Sequence, residues 1–475
     1  MNRITQFFIP LLCAVAGITA PASRPNIVFI LTDDQAPFAV RAAGDQRFIT
    51  PHIDRIFHEG AHLQNSFVVT PVCSPSRIEL IASRYGTEMG ITDYINGREN
   101  EVGIQAGTPT WPELLRQAGY RTALCGKWHL GVQERHHPTK FGYISFMGFR
   151  TGGGPPKDPV LEMEDGQSRK VEGYTCDILT DHALSFIREN RRESFAVSLH
   201  FRAPHARWLP VRPEDWEPFA NLDPEIPNPD HPDLDIPRVK KQTREYLAAV
   251  KSIDRNVGRV LATLEELELA DNTVVIFTSD HGYNLGEHGV WYKGNAIRIL
   301  KKNPPQKWKL IPANRRPNLW DTSLRVPTAI RWPGTITPGT KISQTVSNLD
   351  WFPTVLAMAG VVLPKDIVIR GRDFTPLLRG QEVDWDNDLY AEYSMKHGAT
   401  THMRGWRTVR WKYTIDFASP GREELYDLGS NPEETINLAH STEPQHVRVR
   451  KVLGGKIRIR MKEHADSVAL KSSDR

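Results

Sequence analysis

Four cysteines in 475 residues are too few to build a disulfide scaffold. Charge of one sign is missing too. Sixty basic against 56 acidic side chains leave a net of +4, without the basic excess of a nucleic-acid-binding protein. There is no internal repeat, and no apolar run reaches the roughly 20 residues of a membrane span. What remains is the composition of an ordinary globular protein, 39% hydrophobic and 24% charged. The length suits two domains, or one large α/β domain with an appendage.

The first 22 residues read as an export signal. One basic residue, Arg3, precedes the apolar run 7–16, and Ala20-Pro21-Ala22 has the small-residue pattern of a cleavage site. We expect cleavage after Ala22 and a periplasmic or secreted product with no stable membrane span. Leu12 rather than a small residue precedes Cys13, which speaks against a lipid anchor there. Cys73, Cys125 and Cys176 then remain, an odd number, so at least one thiol lacks an internal partner or is chemically changed. Cys125 and Cys176 read as small buried apolar residues; the sequence leaves a disulfide between them open.

Residues 26–31 (NIVFIL), 195–199 (FAVSL) and 273–277 (TVVIF) are short continuous apolar runs, as in strands buried on both faces of a parallel sheet. Helical patterns at 112–118, 177–190 and 244–267 alternate with them, which predicts a large, mostly parallel sheet flanked by helices. The Pro-rich stretch 204–237 reads as a surface excursion. From about residue 381 the texture changes. Short aromatic-rich segments at 389–394, 405–411, 412–417 and 424–428 predict a smaller antiparallel sheet, closed by a helix at 445–463. The expected organisation is a signal peptide at 1–22, a catalytic α/β domain at 23–380 and an α+β subdomain at 381–475.

In such sheets ligands bind beyond the carboxyl ends of the strands. Each predicted central strand ends in chemically capable residues: Asp33-Asp34, then Pro204-His205, then Asp280-His281. A lone Asp-Asp pair also suits a helix cap or solvated turn. Three carboxylates and an imidazole converging from strand ends suit a hard divalent cation, calcium or magnesium.

Cys73-Ser74-Pro75-Ser76-Arg77 has the pattern CxPxR. Around it stand TPHIDRI (50–56), GKWHLG (126–131), APH (203–205), TSDHGYNLGEHG (278–289) and LRVP (324–327). With these runs, in this order, the chain resembles the formylglycine-dependent sulfatases of the alkaline-phosphatase-like superfamily over residues 26–439. The resemblance implies oxidation of Cys73 to formylglycine by a formylglycine-generating or anaerobic sulfatase-maturing enzyme. It also implies one divalent cation, calcium first, held by Asp33, Asp34, Asp280, His281 and residue 73. By the same resemblance Lys127 and Lys293 would hold the sulfate and His205 would protonate the leaving alcohol. His129 would take a proton from the second hydroxyl, and Arg77 would position the formylglycine loop. The expected activity is hydrolysis of sulfate monoesters, on a sulfated carbohydrate.

The chain departs from the family in one place: Ala82-Ser83 stands where a Thr-Gly pair is usual. Residues 288–320 carry no acid but eight cations, including Lys293, Lys301, Lys302, Arg315 and Arg316; we read part of this as an insertion that overhangs the site and draws a multiply sulfated chain. Trp208, Trp216 and Trp291 are candidates for stacking on sugar rings, or for anchoring loops. CxPxR is shared by hydrolases of phosphonate monoesters and phosphodiesters, so that activity is the nearest alternative. A glycan-binding homologue with an unconverted cysteine is another. A two-zinc phosphatase would carry Ser or Thr at position 73.

Overall fold

The computed structural model describes residues 24–44, 48–99 and 101–468. The expected export segment, Cys13 included, lies outside them. The strands are β1 (Asn26–Thr32), β2 (Ala61–Phe67), β3 (Arg121–Lys127), β4 (Ser145–Phe149), β5 (Val160–Glu162), β6 (Ser168–Lys170), β7 (Phe195–His200) and β8 (Thr273–Ser279). Then come β9 (Asn284–Leu285), β10 (Val290–Tyr292), β11 (Ile297–Arg298), β12 (Ala329–Arg331) and β13 (Thr340–Ser347). The last four are β14 (Leu389–Tyr393), β15 (Met403–Arg407), β16 (Trp411–Asp416) and β17 (Glu424–Asp427).

Ten strands form one sheet in the order β13-β2-β12-β8-β1-β7-β3-β4-β5-β6. Its centre, β8-β1-β7-β3-β4, is parallel, while β12 runs against both of its neighbours. β1 is buried at every residue, so both its faces need cover. Ile27, Phe29 and Leu31 enter one core with Trp111, Ile276 and Trp351; Val28 and Ile30 enter the opposite one with Leu179, Val257 and Phe277. Each such burial is worth about 1.5–3 kcal/mol, which fixes β1 in mid-sheet. The carboxyl ends of β1, β3, β7 and β8 therefore open side by side.

β14–β17 form the separate antiparallel sheet, with the helix Pro444–Glu463 packed on it through Leu453, Ile457 and Met461. The sheet shares this core with Phe67 at the end of β2 and with Val68 and Val69 after it, and Glu392 N donates to Val69 O at 2.8 Å. We propose a division near residue 380 between sheets that pack as one body.

Three details differ from expectation. The helix expected at 244–267 is Ile236–Glu266: Asp235 accepts from Arg238 N at 3.3 Å and Pro237 sits in the first turn, so the end of the Pro-rich stretch is a helix start. That stretch is also not purely surface, since Trp208 and Phe219 are buried in it. The strand expected at 405–411 is cut after Arg407, because the Thr408 hydroxyl accepts from Trp411 N at 2.8 Å and turns the chain into β16. Among the described residues no helix is long and apolar enough to cross a membrane.

Candidate active site

Cys73 opens the helix Cys73–Ala82, every residue of which is buried. Its Sγ lies 3.4 Å from His281 Nε2 and 3.6 Å from Asp33 Oδ1, and accepts from Lys293 Nζ at 3.1 Å. Asp33 and Asp34 follow β1, Lys127 ends β3, and Asp280-His281 follow β8. Lys127 Nζ donates to Asp33 Oδ2 at 2.6 Å, and Lys293 Nζ donates to Asp34 Oδ1. All of these side chains are at most 3% exposed.

Arg77 is the strut behind them. Its Nε donates to Asp280 Oδ2 at 3.0 Å, and its Nη1 to Lys127 O at 2.9 Å, tying the ends of β8 and β3 to the Cys73 helix. Asp280 Oδ1 accepts from Asp34 N at 3.2 Å. Asp34 and His129 have φ of 72° and 61°, a left-handed conformation that costs a non-glycine residue energy and marks functional sites.

The hydrogen bonds fix the histidine tautomers. His281 Nδ1 donates to Gly282 O at 3.1 Å, so its Nε2 lone pair faces Asp34 Oδ1 at 3.1 Å and Asp280 Oδ1 at 3.3 Å. Burial pushes His281 down and keeps it neutral, despite the acids around it. An acceptor nitrogen facing carboxylate oxygens is stable with a cation or proton between them. Ligand atoms of Asp33, Asp34, Cys73 and His281 lie within 4.8 Å of one another, and Asp34 Oδ2 has no hydrogen-bond partner. The donor set, carboxylates plus one imidazole, fits a hard divalent cation. Asp280 stands at the edge of this cluster, with Oδ2 committed to Arg77.

Electrostatics separate the two adjacent acids. Burial works to raise Asp33, but Lys127, with His205, Lys293 and Arg77 behind it, wins and holds its carboxyl well below the usual range. At Asp34 burial wins over Lys293 and His281 and lifts the carboxyl to about 7. Burial also pushes the Cys73 thiol up against the pull of Lys127 and Lys293. As an unmodified side chain it is a neutral thiol, a poor nucleophile.

His129 and His205 stand at the wall of a cleft of about 750 Å³ that opens over Cys73. His129 Nε2 donates to Ile95 O at 3.0 Å and leaves Nδ1 buried without a partner. His205 Nδ1 donates to Ala206 O at 2.6 Å and leaves Nε2 3.9 Å from Asp34 Oδ2. Burial holds both well below the ordinary histidine value, so both are neutral. The structure thus brings together the candidate catalytic and metal-holding residues of the sequence: Cys73, Arg77, Lys127, His129, His205, Lys293, Asp33, Asp34, Asp280 and His281.

Sequence reasoning missed Arg202 and Tyr94, which also line the cleft, while Arg315, expected in the overhanging basic segment, lines it too. Arg202 is 6% exposed and makes no ion pair among the described residues. The signal of Arg202 was present in FRAPH, a cation beside the APH run; Tyr94 had none, since tertiary folding brings it there. Trp208 is a loop anchor, buried with its Nε1 donating to Pro204 O at 2.7 Å, and Trp216 is half-buried against the same core. Of the three tryptophans only Trp291 reaches the cleft. Cys125 and Cys176 are both free and buried.

Comparison with known proteins agrees with this geometry. The family model described as Sulfatase matches residues 25–361, and the one described as N-sulphoglucosamine sulphohydrolase, C-terminal, matches 315–462. The chain is 28% identical to an N-acetylglucosamine-6-O-sulfatase of Bacteroides thetaiotaomicron, over 87% of this chain and 82% of that protein. It is 27% identical to the steryl-sulfatase of Rattus norvegicus, over 90% and 87%. A structure solved with its substrate D-glucosamine-2-N,6-O-disulfate superposes with a TM-score of 0.79 at 26% identity, covering 94% of this chain and 99% of that one. With its fold, its CxPxR helix and the ligand cluster around Cys73, the chain belongs to the sulfatase family, hydrolases of sulfuric esters.

Proposed function

We propose that the protein hydrolyses sulfate monoesters on a sulfated carbohydrate, with Cys73 converted to formylglycine and one divalent cation, calcium or alternatively magnesium, held by Asp33, Asp34, Asp280, His281 and residue 73. The observation that carries this reading is the buried ligand cluster at the floor of the cleft, with two lysines beside it. Formylglycine supplies, as its hydrate, a hydroxyl nucleophile and a second hydroxyl, and the cation supplies the charge that lowers the pKa of such a hydroxyl.

The other roles fall to side chains already in place. Lys127 and Lys293 carry ammonium groups at the cleft floor, fixed positive charge for an anionic sulfate whose charge moves toward the leaving oxygen. His205 offers Nε2 to the leaving alcohol. It is neutral in the free protein, and an anionic ester beside it raises its affinity for the proton it must donate. His129 offers its unpartnered Nδ1 as acceptor for the proton of the second hydroxyl, so that sulfate departs and the aldehyde returns. Arg77 touches neither proton; it positions residue 73 through the helix and Asp280.

The carbohydrate assignment is supported by the relatives named for glucosamine esters and by Arg202, Arg207, Arg315 and Asn96 in the cleft wall, which suit a polyhydroxylated anion better than an apolar steroid. The expected setting is outside the cytoplasm, after maturation by a formylglycine-generating or anaerobic sulfatase-maturing enzyme. The test is mass spectrometry of the tryptic peptide 56–77 from protein made with a maturing enzyme. We expect the aldehyde or its hydrate at Cys73, and turnover of a sulfate ester in preference to the phosphodiester and phosphonate of the same leaving group. A thiol at position 73, in a host that converts a control sulfatase, defeats the reading.

A further inference from the structure

β11 is a wall between two cavities. Successive side chains of a strand point to opposite sides: Ile297 lines the cleft over Cys73, while Arg298 lines a second cavity of about 300 Å³. Arg315 is bridged to Ile297 and lines both. The acidic-free segment of the sequence therefore does not act as a uniform overhang. Lys293 is in the catalytic cluster, Arg316 is bound to Glu424, and Lys301 and Lys302 are exposed residues that line neither cavity.

The second cavity holds more positive charge than its acids cancel. Arg316 pairs with Glu424, and Arg422 with Asp416 at 2.8 Å. Arg298, Lys307 and Arg315 have no ion pair among the described residues. Arg298 spends only Nε, on Ala313 O at 3.1 Å; Arg315 reaches Asn295 O at 3.5 Å; Lys307 lies 5.1 Å from the centroid of the Trp308 ring. Against these three stands one unpaired wall carboxylate, Glu423. Burial, and after it the neighbouring Arg316 and Arg422, lowers the Arg298 pKa. Trp308 adds a flat apolar wall of the kind that accepts a sugar ring.

We propose that this cavity is a second anion subsite of the same active centre, in which Arg298, Arg315 and Lys307 hold a sulfate group on a neighbouring sugar while the ester to be cleaved lies over residue 73. The substrate is then a multiply sulfated oligosaccharide and not an isolated monosaccharide, and Arg315 is the bridge between the two anions. The identity of the ligand rests on the sulfated-carbohydrate reading above.

The test is calorimetric binding of a multiply sulfated hexasaccharide to the full chain carrying Cys73→Ala, which prevents turnover. Arg298→Gln/Lys307→Ala, where the amide keeps a donor for Ala313 O, is expected to raise Kd at least tenfold and to flatten its salt dependence. Lys301→Ala/Lys302→Ala removes equal charge from the same segment and is expected to stay within twofold. Should the first variant not fold, Lys307→Ala alone is expected to raise Kd at least threefold. Equal loss in both double variants, no loss in the first, or no binding by the parent chain overturns the subsite. Turnover of a small aryl sulfate by the converted wild-type protein is measured separately, so that failure of the sulfatase reading is not mistaken for failure of the subsite.

Discussion

Replacing Ser83 by glycine and by alanine separates two opposing effects at the end of the Cys73 helix. Ser83 has φ 53° and ψ 39°, a left-handed conformation that costs a residue with a β-carbon roughly 1–2 kcal/mol and glycine nothing of the kind. The family places glycine here, and this chain does not. Its hydroxyl compensates: it donates to Leu349 O at 2.8 Å and accepts from Gly371 N at 2.8 Å and Arg370 N at 3.2 Å. Arg370 N also reaches Ser83 O at 2.8 Å, so it keeps a partner in either variant. Gly371 N loses its acceptor and Leu349 O loses this donor.

A buried polar group stripped of its partner costs about 1–3 kcal/mol. Ser83→Ala keeps the backbone strain and strands both groups, so a loss of about 2–6 kcal/mol is expected. Ser83→Gly strands the same groups but recovers about 1 kcal/mol of strain. The order is wild type, then glycine, then alanine. Urea unfolding followed by circular dichroism, with unchanged m, reads it directly. A glycine variant more stable than the wild type would refute the compensation, because the hydroxyl would then be worth less than the strain it accompanies. Equal loss in the two variants would mean that the left-handed conformation carries no strain.

Arg77→Lys keeps the charge but not the fork that spans Asp280 and Lys127 O, and loss of charge-assisted hydrogen bonds worth roughly 1.5–3 kcal/mol predicts a kcat at least tenfold lower when expressed per aldehyde at residue 73; a kcat so normalised within twofold of wild type contradicts the strut. Burial lifts the Glu392 carboxyl from 4.5 to about 6 despite Arg404 and the Thr87 hydrogen bonds. The folded chain then binds more protons than the unfolded one between these values, so stability falls by roughly 2 kcal/mol as pH rises through this window, with the loss complete above about 6. Glu392→Gln removes that slope whatever it does to absolute stability, and an unaltered slope of unfolding free energy against pH assigns the titration elsewhere.

The site was legible in the sequence to the degree that its residues sit where a long period ends. NIVFIL has no polar alternation, so it had to be a two-faced buried strand, and Asp33-Asp34 had to stand at its carboxyl end; FAVSL and TVVIF placed His205 and Asp280-His281 by the same argument. Lys127, His129 and Lys293 carry no such pattern and were legible only through the family's motifs. The ribbon β9–β11 was invisible because strands of two or three residues show no period. Arg315 was expected near the site only as one of eight cations in an acid-free segment; the backbone bridge to Ile297 that brings it to the cleft has no local signal. The Pro-rich stretch hid a helix start, since proline marks turns and first helical turns alike.

Charge counting explains why such a site can fold before it is loaded. Asp33, Asp34 and Asp280 face Lys127, Lys293 and Arg77, three carboxyl groups against three cations, all buried and each cation within bonding distance of an acid. An unbalanced set of this size would cost several kcal/mol per uncompensated ion, and neutral His129, His205 and His281 add nothing to the count. Without its cation, and with Asp34 lifted to about 7, the floor holds little of the surplus positive charge that draws a sulfate ester. That surplus lies in Arg202 on the cleft wall and in Arg298, Arg315 and Lys307 across β11. On the proposed reading Lys127 and Lys293 meet the reacting sulfate while Arg298, Arg315 and Lys307 hold its neighbour, so the segment after Lys293 can vary which glycan is held without disturbing the charges that must balance for the chain to fold.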